Sequence, residues 1–194
     1  MPRIGYLTPS SFPDLMKDGR GDDASKTALA VVEQFALDLL QVERDEPASS
    51  ASTEWGIDNE FVAIEEYERR TLLTVRKMEF KTANEYVGGT GDGLVGSKGG
   101  IEVKCPKNPV IHLRRDFQRK NYYWQMVGYM WIYELDWMDF VSYDPRYPVN
   151  MRLIVDRIER KESDIELLKA RCEWAYEEAK KIVESVKSIN FIEA

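Results

Sequence analysis

Residues 88–106 constrain the chain more than any other stretch. Gly91 to Val95 is a short run with an acid, Asp92, at its start. Gly96, Ser97, Lys98, Gly99 and Gly100 form a turn, and a second short run follows from Ile101 to Cys105. Side chains on a strand alternate between its faces, so Glu102 and Lys104 share one face and Val103 takes the other. Paired as a hairpin, the two runs bring Asp92 close to Glu102. Two adjacent carboxylates repel unless a cation lies between them. Hard oxygen ligands favour Mg²⁺ or Mn²⁺. A lysine beside them can orient a water or stabilise charge developing on a phosphate. Together these groups suit metal-assisted hydrolysis of a phosphodiester. Glycine-rich hairpins with scattered charges are also ordinary surface features, so the rest of the chain has to decide between the two.

The chain has 194 residues, which suits one domain over 1–194, and no stretch approaches a membrane span. Its first residues lack the charged-then-apolar form of a signal peptide. Cys105 and Cys172 lie far apart with no metal-type spacing, so a reducing cytoplasm is expected. The formal net charge of −7 argues against a protein that simply coats DNA. The charge is uneven, however. Lys98, Lys104, Lys107, Arg114, Arg115, Arg119 and Lys120 give the acidic chain a basic middle next to the hairpin. Such a patch can track phosphates.

Periodicity predicts a short helix from Ser10 to Met16 and an amphipathic helix from Asp23 to Arg44 with an aspartate cap. A second long helix over 54–70 is capped by Thr53 and places Ile57, Phe61 and Ile64 on one face. Leu72 to Phe80 and Glu85 to Thr90 read as strands, and the hairpin follows. Arg114 to Leu135 reads as a long aromatic-rich helix. Strands from Met138 to Tyr143 and from Met151 to Ile158 flank the turn Asp144-Pro145-Arg146-Tyr147-Pro148. A helix from Ser163 to Ser188 ends the pattern. The order predicts an α/β fold with a small mixed sheet flanked by helices.

Several of these segments together resemble the phage lambda exonuclease family, the YqaJ-like viral recombinases of the PD-(D/E)xK nuclease superfamily. Gly91-Asp92-Gly93-Leu94 and Glu102-Val103-Lys104-Cys105-Pro106 resemble its metal-site hairpin. Trp55-Gly56-Ile57-Asp58-Asn59-Glu60 resembles its helical motif, and Tyr122 to Trp131 its glutamine motif, around Gln125. Tyr143-Asp144-Pro145-Arg146 matches a later turn. Arg3-Ile4-Gly5-Tyr6-Leu7-Thr8-Pro9-Ser10 resembles a motif that binds a terminal 5′-phosphate.

The resemblance implies a restriction-endonuclease-like core and Mg²⁺-dependent 5′→3′ digestion of one strand of duplex DNA from its ends, with Mn²⁺ able to substitute. By the same resemblance, Asp92, Glu102 and the Val103 carbonyl hold the metal and Lys104 positions the attacking water. Gln125 orients the lysine or the water, and Glu60 stands on or beside the metal. Arg3, Thr8 and Ser10 grip the 5′-phosphate, while Arg114, Arg115, Arg119 and Lys120 attract the DNA backbone. It further implies a ring-shaped homo-oligomer, most often a trimer, and a partner that anneals single strands. The chain departs from the family pattern in having Gly91 before the first acid. No apolar wedge for separating strands stands out. For a further site acid, Glu79 is the candidate.

One histidine, His112, excludes an HExxH zinc hydrolase and leaves no evident Ser-His-Asp triad. With no partner histidine it is expected to be structural. The aromatics Tyr122, Tyr123, Trp124, Tyr129, Trp131 and Tyr133 read as core rather than base-stacking platforms. Two alternatives stay open: a related endonuclease or repair nuclease that cuts internally, and a non-catalytic protein that binds DNA ends.

Overall fold

The structure, a computed structural model, describes residues 5–20, 24–43 and 49–189, and within them all side chains except those of 115–119. The strands are β1 (Val75–Arg76), β2 (Lys81–Thr82), β3 (Gly88–Gly89), β4 (Gly93–Val95), β5 (Gly99–Lys104), β6 (Trp137–Tyr143) and β7 (Leu153–Glu159). Five of them form one mixed sheet in the order β1-β4-β5-β6-β7, and β2 pairs with β3 separately. Only β5 and β6 run parallel; the other neighbours are antiparallel. Parallel neighbours need a long crossover, and helix α5 (Arg115–Tyr133) supplies it.

Helix α3 (Ala51–Thr71) covers one face of the sheet, where Ala63 and Tyr67 pack against Val95, Ile101, Val103 and Val141. The other face packs on α5 and on α6 (Glu162–Ser188), with Met126, Met130, Met138, Phe140, Ile165 and Leu168 in one cluster. Register puts Glu102 opposite Phe140 and Lys104 opposite Ser142, so both project on the α5 side. Gly96, at φ +59°, turns β4 into β5 in a conformation open to glycine. The remaining helices are α1 (Phe12–Leu15), α2 (Lys26–Leu39) and α4 (Pro109–Leu113). The N-terminal segment is stitched beside the hairpin by hydrogen bonds from Leu7 N–H to Tyr86 and from Gly88 N–H to Leu7.

The mixed α/β fold expected from the sequence is the fold observed, with instructive differences in detail. Ser25, not an aspartate, caps α2, its hydroxyl accepting from Ala28 N–H at 3.0 Å; Asp23 lies outside the described residues. Ser50, not Thr53, caps α3 and accepts from Thr53 N–H. Ile57 and Phe61 are 67% and 68% exposed rather than buried, because only the second half of α3 lies on the sheet. The strands expected at 72–80 and 85–90 shrink to the two-residue strands β1 and β3, and β2 forms between them. Their partners explain this, since β4 is three residues long and gives β1 little to pair with. The long helix expected over 114–135 is α5, Arg115–Tyr133, and a short helix that was not expected precedes it. Asn108 caps the separate helix α4 by accepting from Val110 N–H.

Candidate active site

The hairpin register pairs Gly93 with Ile101, which sets Asp92 beside the end of β5. One Asp92 oxygen accepts from Val103 N–H at 2.6 Å. Glu102 is 1% exposed. Its Oε1 accepts from Lys104 Nζ and from Gln125 Nε2, the latter at 2.7 Å. Its Oε2 is buried and has no hydrogen-bond partner. A buried carboxylate oxygen left unpaired is costly, and it marks a place where a cation belongs. Lys104 Nζ also lies 4.8 Å from the ring centroid of Tyr122, which holds the ammonium from a second side.

Electrostatics follow from this crowding. Burial first, then Asp92, raises Glu102 to about 7, against the pull of Lys104. Burial also raises Asp92, opposed by Lys104 and by the Val103 N–H. Burial works against the Lys104 ammonium, but Glu102 and Asp92 outweigh it, so the lysine stays charged. Lys104 is therefore a hydrogen-bond donor and a positive charge held beside both carboxylates. Glu60 is exposed, yet partial burial and then Asp92 raise its carboxyl, which places it within the same field. Burial pushes the Cys105 thiol up to about 12, which keeps it neutral and unreactive at physiological pH.

A cleft of about 690 Å³ opens over this centre. It is lined by Glu60, Val103, Lys104, Gln125, Tyr122 and Ser10, and also by Ile57 and Lys107. Ser10 lines a second hollow as well, together with Thr8, Gly89, Thr90 and Tyr129, and its hydroxyl is 3.0 Å from that of Thr8. Thr8 and Ser10 of the N-terminal motif thus lie beside the segment that leads into the hairpin. Arg3 lies outside the described residues, as do the side chains of Arg115 and Arg119. Arg114 and Lys120 are exposed and do not line the cleft. The Glu79 side chain is exposed, and the residue meets α5 through its carbonyl, which accepts from Tyr133. His112 is spent structurally. Its Nε2 donates to the Met151 carbonyl, so Nδ1 accepts from the Ser142 hydroxyl.

Helix α5 adds an arrangement that the aromatic count in the sequence concealed. Gln125, Tyr129 and Tyr133 recur every four residues and so share a helix face. Gln125 Nε2 also reaches Tyr129 Oη at 3.3 Å. Tyr129 donates to the Thr90 carbonyl at 3.0 Å, and the single Tyr133 hydroxyl proton is shared between the Glu79 carbonyl and the Gly89 carbonyl, the latter 2.9 Å away. One stripe of α5 therefore holds Glu102 and the backbone leading to Asp92 in fixed relation.

The sequence over residues 3–136 matches the model of the YqaJ-like viral recombinase domain. That span is more than half of the chain. The chain belongs to this family. Solved structures agree with the YqaJ-like assignment. The alkaline exonuclease of Laribacter hongkongensis superposes with a TM-score of 0.84 at 26% identity, covering 95% of this chain and 93% of that one. Its complex with dAMP gives 0.85 at 27% identity with the same coverage. A phage-related exonuclease from Haemophilus somnus 129PT shares the fold, with a TM-score of 0.77 at 22% identity over 93% and 96% of the two chains. No curated protein sequence matches this chain. Family and fold together support a nuclease of the lambda exonuclease type.

The YqaJ-like hairpin fits a divalent cation. Among the described residues no three His, Cys, Asp or Glu side chains converge closely enough to cage an ion alone. Two carboxylates, one with an unpartnered buried oxygen, instead suit an ion such as Mg²⁺ that keeps water and phosphate among its ligands.

Proposed function

We propose that the chain is a Mg²⁺-dependent 5′→3′ exonuclease that digests one strand of double-stranded DNA from its ends. The buried, unpartnered Oε2 of Glu102, on a carboxylate whose other oxygen accepts from Lys104 and whose strand neighbour Val103 is held by Asp92, carries this reading. Asp92, Glu102 and the Val103 carbonyl would hold the metal, and Mn²⁺ would substitute. When bound, the metal supplies a Lewis acid for the scissile phosphate and lowers the pKa of a coordinated water. Lys104 donates a hydrogen bond to the attacking water and offsets charge on the phosphate. Gln125 fixes Glu102 through its amide, and Tyr129 fixes Gln125. Glu60, at the cleft wall, would orient water or metal.

The 5′ direction rests on Arg3, Thr8 and Ser10. Ser10 lines both the cleft and the adjoining hollow, within one fold of the catalytic strand. An arginine fork suits a terminal phosphate, which carries more charge than an internal diester. Arg114, Arg115, Arg119 and Lys120 attract the duplex. A ring of copies, with the basic middle facing a channel, reconciles DNA binding with the net charge of −7. Recombination in a bacterial host cytoplasm, with a partner that anneals the exposed strand, is the biological setting this reading supports. The Laribacter relative is named as an alkaline exonuclease and was solved with dAMP, which agrees with release of mononucleotides.

Digestion of duplexes labelled at the 5′ or 3′ end tests direction, and a covalently closed circle tests the need for an end. Early loss of the 5′ label, with the circle intact, is expected. Cutting of the closed circle would replace the exonuclease reading with an endonuclease.

A further inference from the structure

Arg146 takes no part in the chemistry above, yet its guanidinium touches the chain on both sides of the cleft. Nε and Nη2 donate to the two Asp144 oxygens at 2.8 and 2.7 Å, and Asp144 is fully buried. Nη2 also reaches the Pro106 carbonyl at 3.2 Å. The guanidinium carbon lies 4.7 Å from the centroid of the Trp55 ring. Trp55 precedes Glu60 on α3, and Pro106 follows Lys104 at the end of β5.

The N-terminal half of α3 has few other holds. Between 51 and 62 Trp55, Gly56 and Asn59 are half-buried and the other residues exposed, and Asn59 bonds within the helix to the Trp55 carbonyl. The sheet contacts of α3 come later, through Ala63, Ile64 and Tyr67. The wall that carries Glu60 is thus anchored to the rest of the site through Trp55. We infer that Arg146 is a positioning residue that sets the Glu60 end of α3 against the Lys104 end of β5. This inference rests on the nuclease reading. A guanidinium suits the task because a carboxylate can hold its edge at two points while its face remains free to stack. Asp144 Oδ1 also accepts from the Arg146 backbone N–H at 3.0 Å, so one buried carboxylate fixes both backbone and side chain.

Arg146→Lys keeps a positive charge for Asp144 but loses the planar stack and the second donor, so the fold is retained while the wall is released. The expected result is a fall in kcat of about tenfold on linear duplex with little change in KM. Amide hydrogen exchange should quicken over 51–60 and stay unchanged in β5 and β6. Trp55→Leu should reproduce both effects, and Trp55→Phe, which keeps a ring face, should restore most of kcat. Wild-type kcat and exchange in Arg146→Lys would overturn the inference. So would a loss of activity that merely tracks a lowered melting temperature. If the wild type itself releases no nucleotide, the nuclease reading fails, and the exchange data still decide whether Arg146 anchors α3.

Discussion

Lys104 does several things from one position. It donates to Glu102, lies over Tyr122, and is kept charged by two carboxylates. A residue assigned to the chemical step should affect turnover and spare binding. Lys104→Ala is therefore expected to cut nucleotide release by about 100-fold or more, with DNA-end affinity in Ca²⁺ within a few fold of wild type. Comparing single-turnover rates with a binding titration checks this, and wild-type rates would remove Lys104 from the site. Glu102 gives a second expectation. In the unfolded chain it titrates near 4.5, and in the fold near 7. Between these values the folded protein holds a proton that the unfolded chain has lost. The metal-free protein should therefore lose stability as pH rises from about 4.5 to about 7, and level off above that. A cation must displace this proton, so Mg²⁺ should raise the melting temperature more at pH 8 than at pH 5.5. Equal shifts at the two pH values would contradict the assignment of Glu102 as a ligand.

Among the elements, α5 organises the site from one side and the core from the other. Gly128 on this helix lies against Phe12 and Pro9, and a Cβ there would come 2.5 Å from the Phe12 ring, which is fully buried. Alanine favours a helix by about 1 kcal/mol over glycine. Overpacking a core that cannot yield costs about 1–3 kcal/mol. Sterics should win, so Gly128→Ala should lower the urea midpoint; a raised midpoint would mean that Phe12 can move aside. Elements with strong periodicity were legible in the sequence: β6, β7 and α6 lie within a few residues of where the pattern put them. The hairpin geometry was legible too, because period two fixes which residues share a face. What escaped were features set by tertiary contact. Ile57 and Phe61 look like a buried stripe, but that half of α3 extends beyond the sheet. Tyr122 and Tyr129 belong to the core packing as expected, but the sequence did not show that one also cradles Lys104 and the other fixes Gln125. Arg146 reads as part of a turn, and only the fold brings it to Trp55 and Pro106.

At the scale of the whole molecule, an acidic chain surrounds a site built to receive a polyanion. Local charge and a bound cation resolve that tension, and a ring of copies would extend the resolution along the duplex. The 5′-phosphate reading adds an expectation for the N-terminal motif. Wild type should prefer 5′-phosphorylated to 5′-hydroxyl ends, and Arg3→Ala should lose the preference while keeping slow cleavage; initial rates on both ends for both proteins decide it. Beneath direction and assembly lies one central claim, that Asp92, Glu102 and Lys104 form a metal-dependent phosphodiesterase. Release of acid-soluble nucleotide from linear duplex, measured side by side in Mg²⁺, in Ca²⁺ and in excess EDTA, tests it most directly. Release in Mg²⁺ is expected, with binding but no turnover in Ca²⁺, which tolerates looser geometry, and none in EDTA. Undiminished release in EDTA, or none in Mg²⁺, would contradict it.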